Sequence, residues 1–273
     1  MLFVHPVLTT DNLGAAGSSH RAPNVGGIVM KNISVKKSVL SWTLLLVLVL
    51  GTVFSGAGTL KVQAAAPDNS VNAYNNSTWP TVDASYLQDA ILVGNSRMKG
   101  FVLYSGIPNL QAVVTVGWRV ADYATRKKIS INGKKYTGPE AIRLFSFRKA
   151  YLNFGLNDLT DKESSFVANY KAIIEDLKAV NPNVIIYINS ILPVNPSAKR
   201  KYPKVTQSRI DTYNADLRQL AVDEGCVYLD TASVFMDDSG HMADGLTSDG
   251  VHVNEASMYL WRDFWLTHAV SSN

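Results

Sequence analysis

The chain has 273 residues, 47% of them hydrophobic and 18% charged, a globular composition with room for one large domain or two small ones. Its formal charge of +4 belongs to one end: five of the 26 Lys and Arg and one of the 22 Asp and Glu precede Ala65, so the remainder carries 21 of each. That balance offers no basic nucleic-acid footprint on the later part, and the single cysteine, Cys226, excludes an intrachain disulfide and a cysteine-based zinc site.

Residues 1–29 are rich in Gly, Ser and Asn and lack periodicity. They read as an upstream extension ahead of a true start at Met30, or as a disordered tail. Residues 30–64 have the three parts of a secretory signal: Lys31, Lys36 and Lys37, then the apolar run from Val39 to Phe54, then VQAAAP with small residues for cleavage. The alternative is an uncleaved membrane anchor over 39–60, a stretch long enough to cross a bilayer. In both cases the basic end stays inside and the rest is exported, so the expected location is secreted or at the cell surface. A polar linker over 65–80 leads to a working domain over 81–273.

Within that domain strands and helices alternate. DAILVGNS reads as a buried strand, LQAVVTVG as a second, and WRVADYATRKK as a helix. ISINGKKYT alternates about Asn132-Gly133, a hairpin signal, and GPEAIRLFS is a short helix. KAYLNFG is a strand. Ser164 to Val180 is a helix with Phe166, Tyr170, Ile173, Ile174 and Leu177 on one face, a core stripe. VIIYINSILPV is a strand, Gln207 to Val222 a helix, VYLD a strand and Glu255 to His268 a final helix. Cys226, opening GCVYLD, is expected as a small buried residue. Strands alternating with helices imply a parallel sheet covered on both faces, and such sheets bind ligands outside the carboxyl ends of their strands.

Four segments fall at such ends. Ser96 follows the first strand, Gly117 the second, and FGLND (Gly155, Asn157, Asp158) the third; SDGVHV places Asp249 and His252 three apart before the last helix. These are the parts of acyl transfer. Serine is a weak nucleophile that needs a base, here His252, and a carboxylate, Asp249, to hold the imidazole and stabilise its charged form. The Ser96 and Gly117 amides and the Asn157 side chain are candidate oxyanion donors. Against this stands the plain reading of Ser96 as a helix cap, of Asn157 and Asp158 as caps of the next helix, and of His252 as structural. His241 in DSGHMADG is a competing base, but it lacks an acid at the spacing of Asp249 and reads as a surface loop residue. Arg97 and Asp158 are candidates for substrate contact. Lys127, Lys128, Lys134 and Lys135 cluster about the hairpin, where they could face an anionic wall polymer.

In these residues the chain resembles the GDSL-type, or SGNH, serine esterases and acylhydrolases. Their four blocks are matched in order by Gly94-Asn95-Ser96, Gly117, Gly155-Leu156-Asn157-Asp158 and Asp249-Gly250-Val251-His252. The Ser-Arg pair and the hairpin look like exported members from Gram-positive bacteria. The resemblance implies an α/β fold, a three-layer α/β/α sandwich with a central parallel sheet of flavodoxin-like order. It implies a catalytic Ser96, Asp249 and His252, an oxyanion hole of Ser96, Gly117 and Asn157, and no metal or organic cofactor. The implied partner is a small acyl ester or an acetylated carbohydrate, with no nucleic acid and no membrane contact beyond an uncleaved N-terminal segment. Acetyl transfer between sugars by the same residues, or a surface binding protein without turnover, are the alternatives. Asn95 stands where the family has Asp, which is expected to tune the turn, and Met98 rules out the Gly-x-Ser-x-Gly elbow of the ordinary α/β hydrolases.

Overall fold

In the computed structural model, residues 79–270 are described; the expected signal or anchor, the extension before it and nearly all of the linker lie outside them. In chain order the elements are β1 (Ala90–Gly94), α1 (Ser96–Tyr104), β2 (Gln111–Val114), the hairpin β3 (Ile129–Ile131) and β4 (Lys134–Tyr136), α2 (Gly138–Ile142), β5 (Lys149–Asn153), α3 (Glu163–Val180), β6 (Ile185–Asn189), α4 (Gln207–Asp223), β7 (Val227–Leu229) and α5 (Met258–Leu266). The main sheet is wholly parallel, in the order β2-β1-β5-β6-β7, the flavodoxin-like order. Alternate residues of each strand feed two cores. Ile91 and Val93 pack with the α3 stripe and with Ile210, Tyr213 and Leu217 of α4. Ala90 and Leu92 pack with Met98 and Phe101 of α1 and Trp261 and Trp265 of α5. The sheet is thus the middle of three layers, and burial on both faces explains why its strands read as unbroken apolar runs. Each fully buried side chain of the α3 stripe contributes roughly 1.5–3 kcal/mol, well above any difference in helix propensity at those positions.

Two expected elements differ. WRVADYATRKK forms only a 3-10 turn over Val120–Asp122. Trp118, Val120 and Tyr123 are all buried, and the Val120 amide is taken by the Asp158 carboxylate at 2.9 Å, so the segment is held by tertiary contacts as a single turn. The run VIIYINSILPV pairs as strand only to Asn189. Beyond it, the Leu192 and Pro193 carbonyls accept from the Arg97 guanidinium at 2.5 and 3.0 Å instead of from a neighbouring strand. The Asn132-Gly133 turn is as expected, both residues having positive φ (49° and 75°) as a tight hairpin turn requires. Cys226 is buried, and burial pushes its thiol up to about 12.

Connections leave β1 towards β2 on one side and return to β5 on the other, so the topological switch lies at the carboxyl ends of β1 and β5. There the backbones nearly touch. The Asn95 amide donates to the Asn153 carbonyl at 3.2 Å, and a Cβ on Gly94 would stand 2.5 Å from that oxygen. Only glycine fits.

Candidate active site

Helix α1 begins at the switch point. Its cap is Asn95, whose buried side-chain oxygen accepts from the Arg97 amide at 3.0 Å. Ser96 is therefore the first helical residue and its hydroxyl is not spent on capping. Ser96 Oγ lies 2.9 Å from His252 Nε2. His252 Nδ1 lies 2.8 Å from Asp249 Oδ2. The other oxygen, Asp249 Oδ1, accepts from the amides of Val251 at 2.9 Å and His252 at 2.8 Å. Partial burial pushes the Asp249 carboxyl up, but the His252 amide and ring and the Val251 amide outweigh it and hold the group well below the usual carboxylate range. Asp249 is thus ionised at any working pH. The loop is tight: Thr247 Oγ1 accepts from the Gly250 amide at 3.0 Å, and Thr247 and Val253 form a bridge across it.

The other expected residues divide. Asn157 Nδ2 donates to the Trp118 carbonyl at 3.2 Å, which fixes the amide and leaves its second N–H available. Gly117 precedes that carbonyl, exposed, with φ of 64°; its own carbonyl accepts from Lys128 Nζ at 3.2 Å. Neither Asn157 nor Asp158 caps α3, whose N-cap is Lys162 with no side-chain bond. Arg97 and Asp158 have buried side chains bonded to the protein interior, although Arg97 also borders the cleft beside Ser96. Arg97 is only 2% exposed, and its guanidinium donates to the carbonyls of Val251, Leu192 and Pro193. It ties the first turn of α1 to the histidine loop from below, and burial pushes it down to about 9. Asp158 is fully buried. Its two oxygens accept from the amides of Val120 and of Gly155, the latter at 3.2 Å, and burial pushes its carboxyl up to about 7. His241 sits in its own turn, with Nδ1 3.1 Å from Ser239 Oγ.

Ser96, Asp249 and His252 open into a cleft of about 470 Å³. One wall is apolar, made by Leu103, Tyr104, Val116 and Met258, with Lys99 and Glu255 at its rim. Leu103 and Val116 are 52% and 64% exposed, and their meeting at the cleft makes a small contiguous apolar patch there. The sequence reading missed this wall, although a signal existed: Gly100, Leu103 and Tyr104 follow Ser96 at helical spacing. Gly100 leaves room for Met258, whose Cε would lie 2.9 Å from an added Cβ. Among the described residues no group of three or more His, Cys, Asp or Glu is placed to hold a metal ion.

A doubly wound parallel sheet with Ser96, His252 and Asp249 in a hydrogen-bonded line at its carboxyl edge is the arrangement of an ester-cleaving hydrolase of the α/β class. The sequence model of the GDSL-like Lipase/Acylhydrolase family matches residues 105–259, and the chain belongs to that family. The matched span takes in Gly117, Asn157, Asp249 and His252, while Ser96 lies just ahead of it. Among solved structures, the chain is similar to a protein assigned as an acylhydrolase from Bacteroides fragilis, with 19% identity, 68% of this chain and 86% of that one covered, and a TM-score of 0.53. It is also similar to a GDSL-like lipase from Bacteroides thetaiotaomicron, with 17% identity, 66% and 85% covered, and a TM-score of 0.52. At such identity these likenesses establish the shared fold. Comparison with curated proteins finds no match.

Proposed function

We propose that this hydrolase is an exported serine esterase acting on small acyl esters, including O-acetyl groups on cell-wall or extracellular carbohydrate. The observation that carries the reading is the unbroken line from Ser96 Oγ through the His252 ring to Asp249, 2.9 and 2.8 Å long, in an open cleft. Ser96 attacks the ester carbonyl while His252 Nε2 takes its proton; Asp249 holds the ring and stabilises the imidazolium. The oxyanion that forms is met by the Ser96 and Gly117 amides and the free N–H of Asn157. His252 returns the proton to the departing alcohol. Water, activated in the same way, then releases the acid and restores Ser96. Export rests on the basic, apolar and Ala-rich order of residues 30–64, and the carbohydrate substrate rests on that location. The reading is tested by labelling with a fluorophosphonate and mapping the modified serine, together with hydrolysis of p-nitrophenyl acetate. The label is expected on Ser96 and absent from Ser96→Ala. A label on Ser248, which also lines the cleft, would overturn the assignment.

A further inference from the structure

Between β6 and α4 the chain crosses beside the histidine loop and is bolted to it. The Asn195 amide donates to the Gly250 carbonyl at 2.9 Å. Gly250 has φ of 82°, and a Cβ there would lie 2.4 Å from the Ala198 nitrogen. Asn195 also caps the 3-10 turn Pro196–Arg200, accepting from the Ser197 amide at 3.0 Å, and its own amide donates to the Met242 carbonyl and to Asp244, both at 2.9 Å. This turn is therefore in backbone contact with the residue next to Asp249. It carries Lys199, Arg200 and Lys201, with Lys204 just beyond, all exposed.

Four cations in six residues would ordinarily be offset by nearby acids. Ahead of the hairpin this happens: Lys127 pairs with Glu140 at 3.3 Å and Lys128 with Asp122 at 2.8 Å. Lys134 and Lys135 on β4 are without such a pair among the described residues, but they are two cations rather than four and line neither the cleft at Ser96 nor the one beneath the Pro196–Arg200 turn. Among the described residues no carboxylate forms an ion pair with any of the four on this strap. The acids nearby are committed elsewhere: Asp244 to Asn195, Asp237 to Ser239 and the His241 amide, and Asp249 to His252. Lys201 lies over the Tyr202 ring, 5.2 Å from its centroid, and the Tyr202 hydroxyl and the charge of Asp249 push its ammonium up. Beneath the strap a second cleft of about 270 Å³ is lined by Lys199, His241, Thr206, Gln207 and Pro203 among others. That is room for about one sugar unit, with polar groups on its walls.

We infer that this strap and the cleft beneath it form an anion-binding subsite for a polymeric substrate, a glycan bearing carboxylate or phosphate groups whose ester is presented to Ser96. The inference rests on the proposed esterase reading for the position of the ester, but not for binding itself. A row of cations without ion-pair partners beside a cleft raises the local concentration of a polyanion and speeds its encounter, and salt abolishes the effect.

The test uses three O-acetylated dextrans of one backbone: neutral, carboxymethylated and phosphorylated. Acetate release from the charged polymers should exceed that from the neutral one by about 10-fold in kcat/KM at low ionic strength, and the advantage should disappear in 0.5 M NaCl. A preference for one charged polymer over the other identifies which anion the subsite takes. In Lys199→Ala/Arg200→Ala/Lys201→Ala the ratio should fall to about one, whereas Lys134→Ala/Lys135→Ala on the hairpin should keep it. Binding is read separately by the retardation of Ser96→Ala protein in gels containing the unacetylated polymers, so that loss of the subsite and failure of the esterase reading are told apart. Equal retardation by neutral and charged dextran, or retention of the preference in the triple variant, would overturn the inference.

Discussion

Arg97→Met tests whether the histidine loop is held in place by a buried guanidinium. Arg97 gives three charged hydrogen bonds, to Val251, Leu192 and Pro193, at 3.0, 2.5 and 3.0 Å. Methionine matches its length and is content in an apolar site, so part of the loss is offset by relief of the burial that pushes the guanidinium down to about 9. Three carbonyls are nevertheless left in the interior without a donor, each at about 1–3 kcal/mol. Allowing for the offset, the net cost is about 3–6 kcal/mol, a large share of the ~5–15 kcal/mol that holds a domain together. For a domain of this size it corresponds to a fall of roughly 10–20 °C in Tm. Thermal unfolding followed by circular dichroism measures this directly. Hydrolysis of p-nitrophenyl acetate at a temperature where both proteins are folded measures the second effect. The Val251 carbonyl adjoins His252, so kcat should fall at least ~10-fold with KM little changed. Arg97→Lys, which keeps the charge but not the fork, should lie between. A methionine variant that melts within ~2 °C of the parent and keeps its kcat would refute the argument.

In the proposed triad, His252→Ala should remove nearly all hydrolysis, and Asp249→Asn should lose on the order of 10⁴-fold by analogy with the serine protease triad, both read as kcat on p-nitrophenyl acetate. Asn157→Ala removes one oxyanion donor and should lower kcat by about 10²–10³-fold, with circular dichroism showing an intact fold. Asp158, with its carboxyl pushed up to about 7 by burial, holds a proton in the folded state that the unfolded chain releases near pH 4. Its contribution is therefore complete below pH 4 and lost as pH rises to about 7, up to about 4 kcal/mol. Urea midpoints at pH 5 and pH 8 measure the slope, and Asp158→Asn should flatten it.

The sheet was legible because burial on both faces leaves apolar runs that need no periodicity to be seen, and α3 because its stripe keeps helical spacing over about three turns. The site was legible wherever a residue's role is set within a few positions, as in Asp249 to His252, where one short loop supplies both the acid and the amides that hold it ionised. What sequence could not show was direction. Arg97 beside a nucleophile reads equally well as facing substrate or facing the core, and only three distant carbonyls decide it. Asp158 is the same case: its partners, Val120 and Gly155, are a loop away and a turn away. The false helix at 118–128 has the same origin, since the Asp158 bond to the Val120 amide that helps fix the segment comes from far along the chain. The apolar wall of the cleft was open to reading from α1 spacing, but Val116 joins it only through the neighbouring strand.

Gly94-Asn95-Ser96 shows how little of a nucleophile's setting depends on the residue that departs from the family pattern. Gly94 is required by the Asn153 carbonyl 2.5 Å from where a Cβ would be. Ser96 is required for its hydroxyl. Between them the middle residue has one task, to give an oxygen to the Arg97 amide, and asparagine and aspartate cap equally well. The cost of asparagine is at its other end, where Nδ2 is buried without a partner, about 1–3 kcal/mol by the usual penalty. The cost of aspartate would be a buried negative charge next to the nucleophile, which the helix N-terminus only partly offsets. Either residue leaves the Ser96 hydroxyl free and 2.9 Å from His252. The substitution therefore acts on the stability of the turn and on the charge felt at Ser96, while the geometry of attack is set by the glycine before it and by the histidine loop that Arg97 secures.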